Sequence, residues 1–486
     1  MEEGGPMKER APDSFRGILS VSLPIIAGMA GRTVMIFCDR LFLAQHSQLE
    51  LQAALPAGVL NFTLICIFFG TVSYSSTFVS QFFGASDRDG CSRSLAQGLF
   101  LTLFSAPVLA ALTVPGNLFL QLAGHTDEVL ALEKSYFTIL MLSSAGPVFT
   151  AASSSFWNGR GRTVPAMFAV LAGAGVNIAL DYVLIFGKLG FPEMGIEGAA
   201  IGTAIASFIP GTILTVAAFT GRTSREYRTR ENFRFSRSLT ARMIRFGLPA
   251  GLQVFVDVAS FTVFLFIAGR LSDMEFTANN LVFSVNNLAF NPLLGFSFGT
   301  TVIVGRCLGM RNPSMAVRAA LRSLLLSLCY FVPLAATFVL FPGFYTRLFF
   351  SPDSACTIGE LAGTAGKLFA IVAAWGVFDA VSLTFSGALR GAGDTKFVVL
   401  ASGLLAWFVW IPGVLYLYAV RHVGIVPLWL FTSFYIAVFA VVFVLRFRTG
   451  RWKRIDLLGR NGSRGGGSGD QAEEEDPEDD ASRRDG

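Results

Sequence analysis

Apolar runs of about twenty residues or more, separated by short polar clusters, fill most of this chain. A run of that length crosses the hydrocarbon core of a bilayer as a helix. The pattern predicts twelve spans, at about 18–44, 54–82, 93–114, 133–156, 163–187, 196–220, 246–270, 276–305, 318–341, 363–388, 396–420 and 425–446. The first run follows Lys8, Arg10 and Arg16, as the core of a signal peptide would. It continues to about residue 44, and further spans follow at once, so it reads as a retained first helix. The fold class expected is an all-α integral membrane protein.

Composition agrees. Hydrophobic residues make up 53% and charged residues only 15%, against about a quarter charged in soluble domains. The charges gather between the apolar runs, a distribution that suits a bilayer and offers nothing to a nucleic acid. Most of the 38 basic residues fall at the N-terminus, near 88, 160, 222–245, 306–322 and 390–396, and after the last span. Lys134, Lys188, Arg270, Arg347, Lys367 and Arg421 fall in the loops of the opposite face. By the positive-inside rule both termini are cytoplasmic. The chain then divides into a cytoplasmic N-terminus (1–17), a first lobe (18–220), a basic linker (221–245), a second lobe (246–446) and a tail (447–486), basic and then acidic, expected to be disordered. The cysteines, Cys38, Cys66, Cys91, Cys307, Cys329 and Cys356, lie in or beside spans without paired spacing, and suggest neither a disulfide framework nor a zinc site.

The chain also repeats. Leu23-Pro24 recurs as Leu248-Pro249, Asn61 as Asn286, and Phe83-Gly84 as Leu308-Gly309, each at the same offset; Gly161-Arg162-Thr163 resembles Gly393-Asp394-Thr395 after a short indel. Each half thus holds an even number of spans and enters the membrane from the same side. The repeat is parallel, about an axis along the membrane normal. Two pseudo-symmetric six-helix lobes around a central cleft follow from it, with substrate at the interface of the repeats.

Four carboxylates fall within apolar spans: Asp39, Asp181, Asp257 and Asp379. A charge at that depth costs about 3 kcal/mol on insertion scales, so an acid kept there points to a path for protons or metal cations. Asn177 and Asp181 are four residues apart and share a helix face. A carboxylate with an amide oxygen suits a hard cation such as Na⁺; burial also favours the neutral acid, so the same group can hold a proton. The plainer reading is a set of hydrogen bonds tying helices together. Arg32 lies two turns from Asp39 on the same face, and falls opposite Asp257 under the repeat offset. Two readings of it stand side by side: a pair with Asp257 across the cleft, or a counter-charge for Asp39 or Asp181 within the first lobe.

Longer motifs carry a family resemblance. The first span has LP, an Asp fifteen residues on, and LFLA; GRGRTVPAM follows the fourth. The fifth and sixth read VNIALDYVLIFGKLGFPEMGIEGAAIGTAIA, the seventh GLPAGLQVFVDVASFTV and the tenth FDAVSLTFSGALRGAGDTKF. From about residue 15 to 446 the chain resembles the multidrug and toxic compound extrusion (MATE) family, of the NorM/DinF-like bacterial type. The resemblance implies a V of two six-helix lobes in the cell inner (plasma) membrane, and export of amphipathic, often cationic small molecules in exchange for H⁺ or Na⁺. It implies a cation site at Asp39, Asn177, Asp181 and Thr203, with Na⁺ held among the first three, and a second-lobe ion or substrate locus at Asp257 and Asp379. Glu is common at the Asp257 position in the NorM-like branch, and Arg32 departs from the family pattern. A monomer with no cofactor beyond the coupling ion is expected.

The remaining signals are weaker. Arg390, Gly391, Gly393, Asp394 and Thr395 read as a cytoplasmic turn, with Asp394 or Thr395 capping the next helix. Neither GAGDTK nor GRGRT has P-loop spacing, so energy must come from an ion gradient or a partner. His46, His125 and His422 fall in outer loops without an assigned role. Some of the 48 Phe residues are expected to line the cleft, where aromatic faces suit flat cations. A flippase for an amphiphile would show basic residues facing its cleft, and a membrane transferase would show paired acids or a His-Asp pair at a membrane face; the buried charges here are mostly acidic and single.

Overall fold

The computed structural model describes residues 11–122, 124–349 and 358–459. Among them every regular element is a helix. Twelve are long and apolar enough to cross a membrane: span 1 (Phe15–His46), span 2 (Gln48–Gly84), span 3 (Arg88–Gln121), span 4 (Asp127–Gly159), span 5 (Thr163–Ile185), span 6 (Gly195–Phe219), span 7 (Arg237–Ala268), span 8 (Asp273–Gly309), span 9 (Pro313–Leu340), span 10 (Gly359–Ala392), span 11 (Thr395–Ala419) and span 12 (Ile425–Arg448). Most outrun the apolar stretches that predict them, because polar residues cap their ends. Ser14 Oγ accepts from Gly17 N at 3.0 Å, Asp87 Oδ1 from Gly90 N at 2.7 Å, and Asn312 Oδ1 from Met315 N at 2.9 Å. Span 7 begins at Arg237, within the stretch read as linker. Span 11 loosens into a π turn at Ala406–Trp410 just before Pro412, whose missing N–H leaves the ladder free to slip.

The two lobes meet at one end of the spans. Ile18 and Val21 of span 1 join Val302, Ala316 and Phe443 of the second lobe in a common core. Leu239, Met243 and Ala250 of span 7 join Phe78, Leu95 and Phe156 of the first. Towards the other end the cores separate: Ile65, Leu109, Phe137 and Met141 pack within the first lobe, and Leu281, Phe369 and Trp429 within the second. The molecule is therefore closed at the face where span 1 starts, and the lobes part towards the other.

The closed face follows the repeat closely. Gly70 packs on Gly251, and its counterpart Gly295 on Ile26, the counterpart of Gly251. Ser80 faces Gly305; a Cβ on Gly84 would strike the Arg306 carbonyl, and one on Gly309 the Gln81 carbonyl. Hydrogen bonds join the same surfaces: Tyr74 Oη donates to the Arg390 carbonyl at 2.8 Å, and Gln81 Nε2 to the Gly391 carbonyl at 3.0 Å. Each lobe's entry segment is held by the other lobe. Asp13 Oδ2 accepts from Arg318 Nε (3.0 Å) and Arg322 Nη1 (3.1 Å) of span 9. Gln97 of span 3 donates to the Arg234 carbonyl at 2.8 Å and accepts from Ser236 N and Thr240 Oγ1, each at 2.9 Å.

Two expectations are corrected here. The segment from 447 to 459, read as the start of a disordered tail, has a fixed place: Trp452 is buried with its Nε1 donating to the Phe447 carbonyl at 2.8 Å, and Leu457 and Leu458 enter the core around Phe78. Three large apolar side chains among basic ones suffice to pin it. Residues 460–486, and Cys356, lie outside the described residues. Asp394, read as a cap, makes no capping bond; its carboxylate takes Arg446 of span 12 through both oxygens, at 2.7 and 3.2 Å. A buried carboxylate with an arginine fork in reach gains more from that pair than from a lone amide. Gly161 and Gly393 have φ of +74° and +93°, the left-handed turn that explains why glycine recurs there.

Candidate ion-coupling site

Span 5 presents Asn177 and Asp181 one turn apart, both fully buried. Asn177 Nδ2 donates to Asp181 Oδ1 and to Thr203 Oγ1 of span 6, each at 3.3 Å. Asp39 of span 1, half-buried, lies beside Asp181 within hydrogen-bonding reach, and Tyr136 of span 4 lies within electrostatic reach of both acids. All four residues expected at the first-lobe cation site thus converge. Asp39 Oδ1, Asp181 Oδ2 and Asn177 Oδ1 are buried acceptors with no donor among the described residues. Two neighbouring carboxylates and an amide oxygen, short of donors, suit a proton or a hard cation bound through oxygen. Among the described residues no trio of His, Cys, Asp or Glu has a metal-site arrangement.

Glycine makes this convergence possible. A Cβ on Gly202 would collide with Asp181 Oδ1, and one on Gly198 with the Leu184 backbone. The pair, one helical turn apart, seats span 6 directly on span 5. Neither glycine stands out in the sequence as a site residue; the small-xxx-small spacing is the signal that would have found them.

The second lobe is arranged differently. Asp257 and Asp379 do not pair with each other, though Tyr435 of span 12 lies within electrostatic reach of both. Asp257 has Gln253 beside it and the Arg390 guanidinium as its opposite charge. Arg390 was expected in a turn; span 10 continues through it to Ala392, so its side chain points back into the lobe. There its Nη2 donates to Ser297 Oγ at 3.0 Å and its guanidinium lies 5.8 Å from the Phe298 ring centre. Arg32 enters neither of its two expected pairs: among the described residues it has no ion-pair partner, and its side chain is exposed.

Comparison with known proteins agrees with this architecture. The MatE family model matches residues 24–183 and again 249–414, and the two matches start 225 residues apart, the offset of the repeat. The chain belongs to the MatE family. MATE proteins of this kind are transporters, not enzymes. The chain is 27% identical over 468 residues to a probable multidrug resistance protein NorM of Thermotoga maritima, covering 93% of this chain and 96% of that protein. It is likewise 27% identical over 451 residues to a probable multidrug resistance protein NorM of Bradyrhizobium diazoefficiens, covering 92% and 96%. A solved outward-facing structure of a multidrug resistance MATE family transporter superposes with a TM-score of 0.81 at 20% identity, over 93% of this chain and all of that one. A MATE multidrug efflux transporter, multi-pass and helical, is the class these matches define.

Proposed function

We propose that the chain is an antiporter that exports amphipathic, often cationic compounds across the cell's inner membrane, driven by entry of H⁺ or Na⁺, and that it works by alternating access as a monomer. The observation that carries this reading is the convergence of Asp39, Asp181 and Asn177 with acceptor oxygens lacking donors. Asp39, Asp181, Asn177 and Thr203 would hold the coupling ion. A cationic substrate and that ion compete for the same carboxylates, so binding one releases the other. Asp257 and Asp379 would form the second lobe's own ion or substrate locus, with the charge of Asp257 tempered by Arg390. The excess of basic residues at the closed face supports placing it, with both termini, in the cytoplasm. On that reading the described arrangement is open outward, ready to release substrate and take up the ion.

The test is efflux from proteoliposomes with pH and Na⁺ gradients imposed separately. A dye cation should move uphill under at least one gradient with wild-type protein and under neither with Asp39→Asn. Uphill transport by Asp39→Asn at the wild-type rate would overturn the assignment.

A further inference from the structure

Arg32 is a charge in an apolar span for which the described residues supply no opposite charge. Its place is defined by its neighbours on span 1. Gly28 and Gly31 pack against Met167, Val170 and Leu171 of span 5. Arg32 follows Asp39's face, seven residues away, which is about 20° around the helix and about 10 Å along it. Arg32 therefore lies on the side of span 1 from which Asp39 reaches Asp181. Its side chain is exposed, so a partner from outside the protein can reach it.

The symmetric position sharpens the contrast. Asp257, its counterpart in the second lobe, is balanced inside its own lobe by Arg390. The first lobe's acids are engaged with each other and with Asn177, two turns from Arg32. An unmatched guanidinium at this depth is expensive, and its planar fork fits a carboxylate through two parallel hydrogen bonds.

We propose that Arg32 is the anion-recognising residue of the first lobe, and that the substrates carried best are amphipathic zwitterions, with their cationic end at Asp39 and Asp181 and their carboxylate at Arg32. This rests on the antiport reading and narrows its substrate class. The cationic end still competes with the coupling ion, so exchange is preserved. The carboxylate adds affinity at a distance of two helical turns, without touching the coupling acids.

Tetramethylrhodamine and its methyl ester form a matched pair: the same flat cation with and without a carboxylate. Wild-type protein in proteoliposomes should transport the acid in preference to the ester. Arg32→Gln should lower transport of the acid about tenfold, the scale of a lost charge-assisted hydrogen bond, and leave the ester within about twofold of wild type, which also shows that the variant is folded. Arg32→Lys should recover part of the loss. Equal loss of both dyes in Arg32→Gln, or a wild-type protein that does not distinguish them, would overturn the proposal while leaving antiport standing. Movement of neither dye by the wild type under either gradient would remove the antiport reading and this inference with it.

Discussion

Gly84 and Gly309 occupy equivalent positions in the two halves, and each lies against a carbonyl of the other's helix: Gly84 against Arg306, Gly309 against Gln81. The contact is reciprocal, so the pseudo-two-fold axis passes between the ends of spans 2 and 8. It is also backbone against backbone, which leaves no flexible side chain to absorb an added atom.

Gly309→Val should therefore open the closed face. Overpacking of a tight contact costs about 1–3 kcal/mol, enough to shift a two-state equilibrium from about fivefold to more than a hundredfold. Cys307, fully buried at this face, is the reporter. In a protein carrying it as the sole cysteine, a membrane-impermeant maleimide should label the variant much faster than the parent. Unchanged labelling would show that the face has slack the contact does not suggest.

Asp39 and Asp181 should behave as one site. Asp39→Asn and Asp181→Asn should each abolish ion-coupled efflux while leaving insertion intact. Combining them should add less than about 0.5 kcal/mol beyond either alone, because neighbours that share a function are not additive. Independent losses in the mutant cycle would separate the two acids.

Gly202→Ala tests the seat of that site. The new methyl group would occupy the space of Asp181 Oδ1, so apparent affinity for the coupling ion should fall at least about fivefold, the equivalent of about 1 kcal/mol. Gly175, on span 5 with open space around it, is the control; Gly175→Ala should transport normally. Normal ion affinity in Gly202→Ala would mean that Asp181 reorients without loss.

Asp13→Asn should loosen the lobes at the closed face. Asp13 is buried and receives both Arg318 and Arg322, whose side chains are half-exposed. Losing its charge should weaken closure by about 1–2 kcal/mol, less than two fully buried charge-assisted bonds would give. Spin labels on the ends of spans 2 and 8 should show a broadened, longer distance distribution. An unaltered distribution would leave Asp13 with a local role only.

The spans and the buried acids are legible in the sequence because each is marked by a contrast, apolar against polar or an acid in hydrocarbon; the repeat is legible from its recurring motifs, and Thr203 enters only through the family resemblance. Asp39, Asn177 and Asp181 stand out on that ground and converge in space. Gly202 does not, since its small-xxx-small spacing with Gly198 marks a helix contact and not the acid that it touches. Arg390 reads as a turn residue, and the partner of Asp394 goes unseen, for a related reason. GAGD has turn composition, and only the continuation of span 10 to Ala392 turns Arg390 inward, while the arrival of span 12 brings Arg446 to Asp394. Trp452, Leu457 and Leu458 were hidden by the basic residues around them.

Ser80 faces Gly305, its own counterpart across the axis. Had the two halves been separate, identical chains, that position would have met itself, with two serines or two glycines forced together. A single fused chain escapes the constraint. One copy keeps a hydroxyl, which bonds to the Thr77 carbonyl of its own helix at 2.9 Å; the other gives up its side chain to make room. This close contact is thus a place where two diverged halves of one chain achieve a fit that two identical serine-bearing copies cannot.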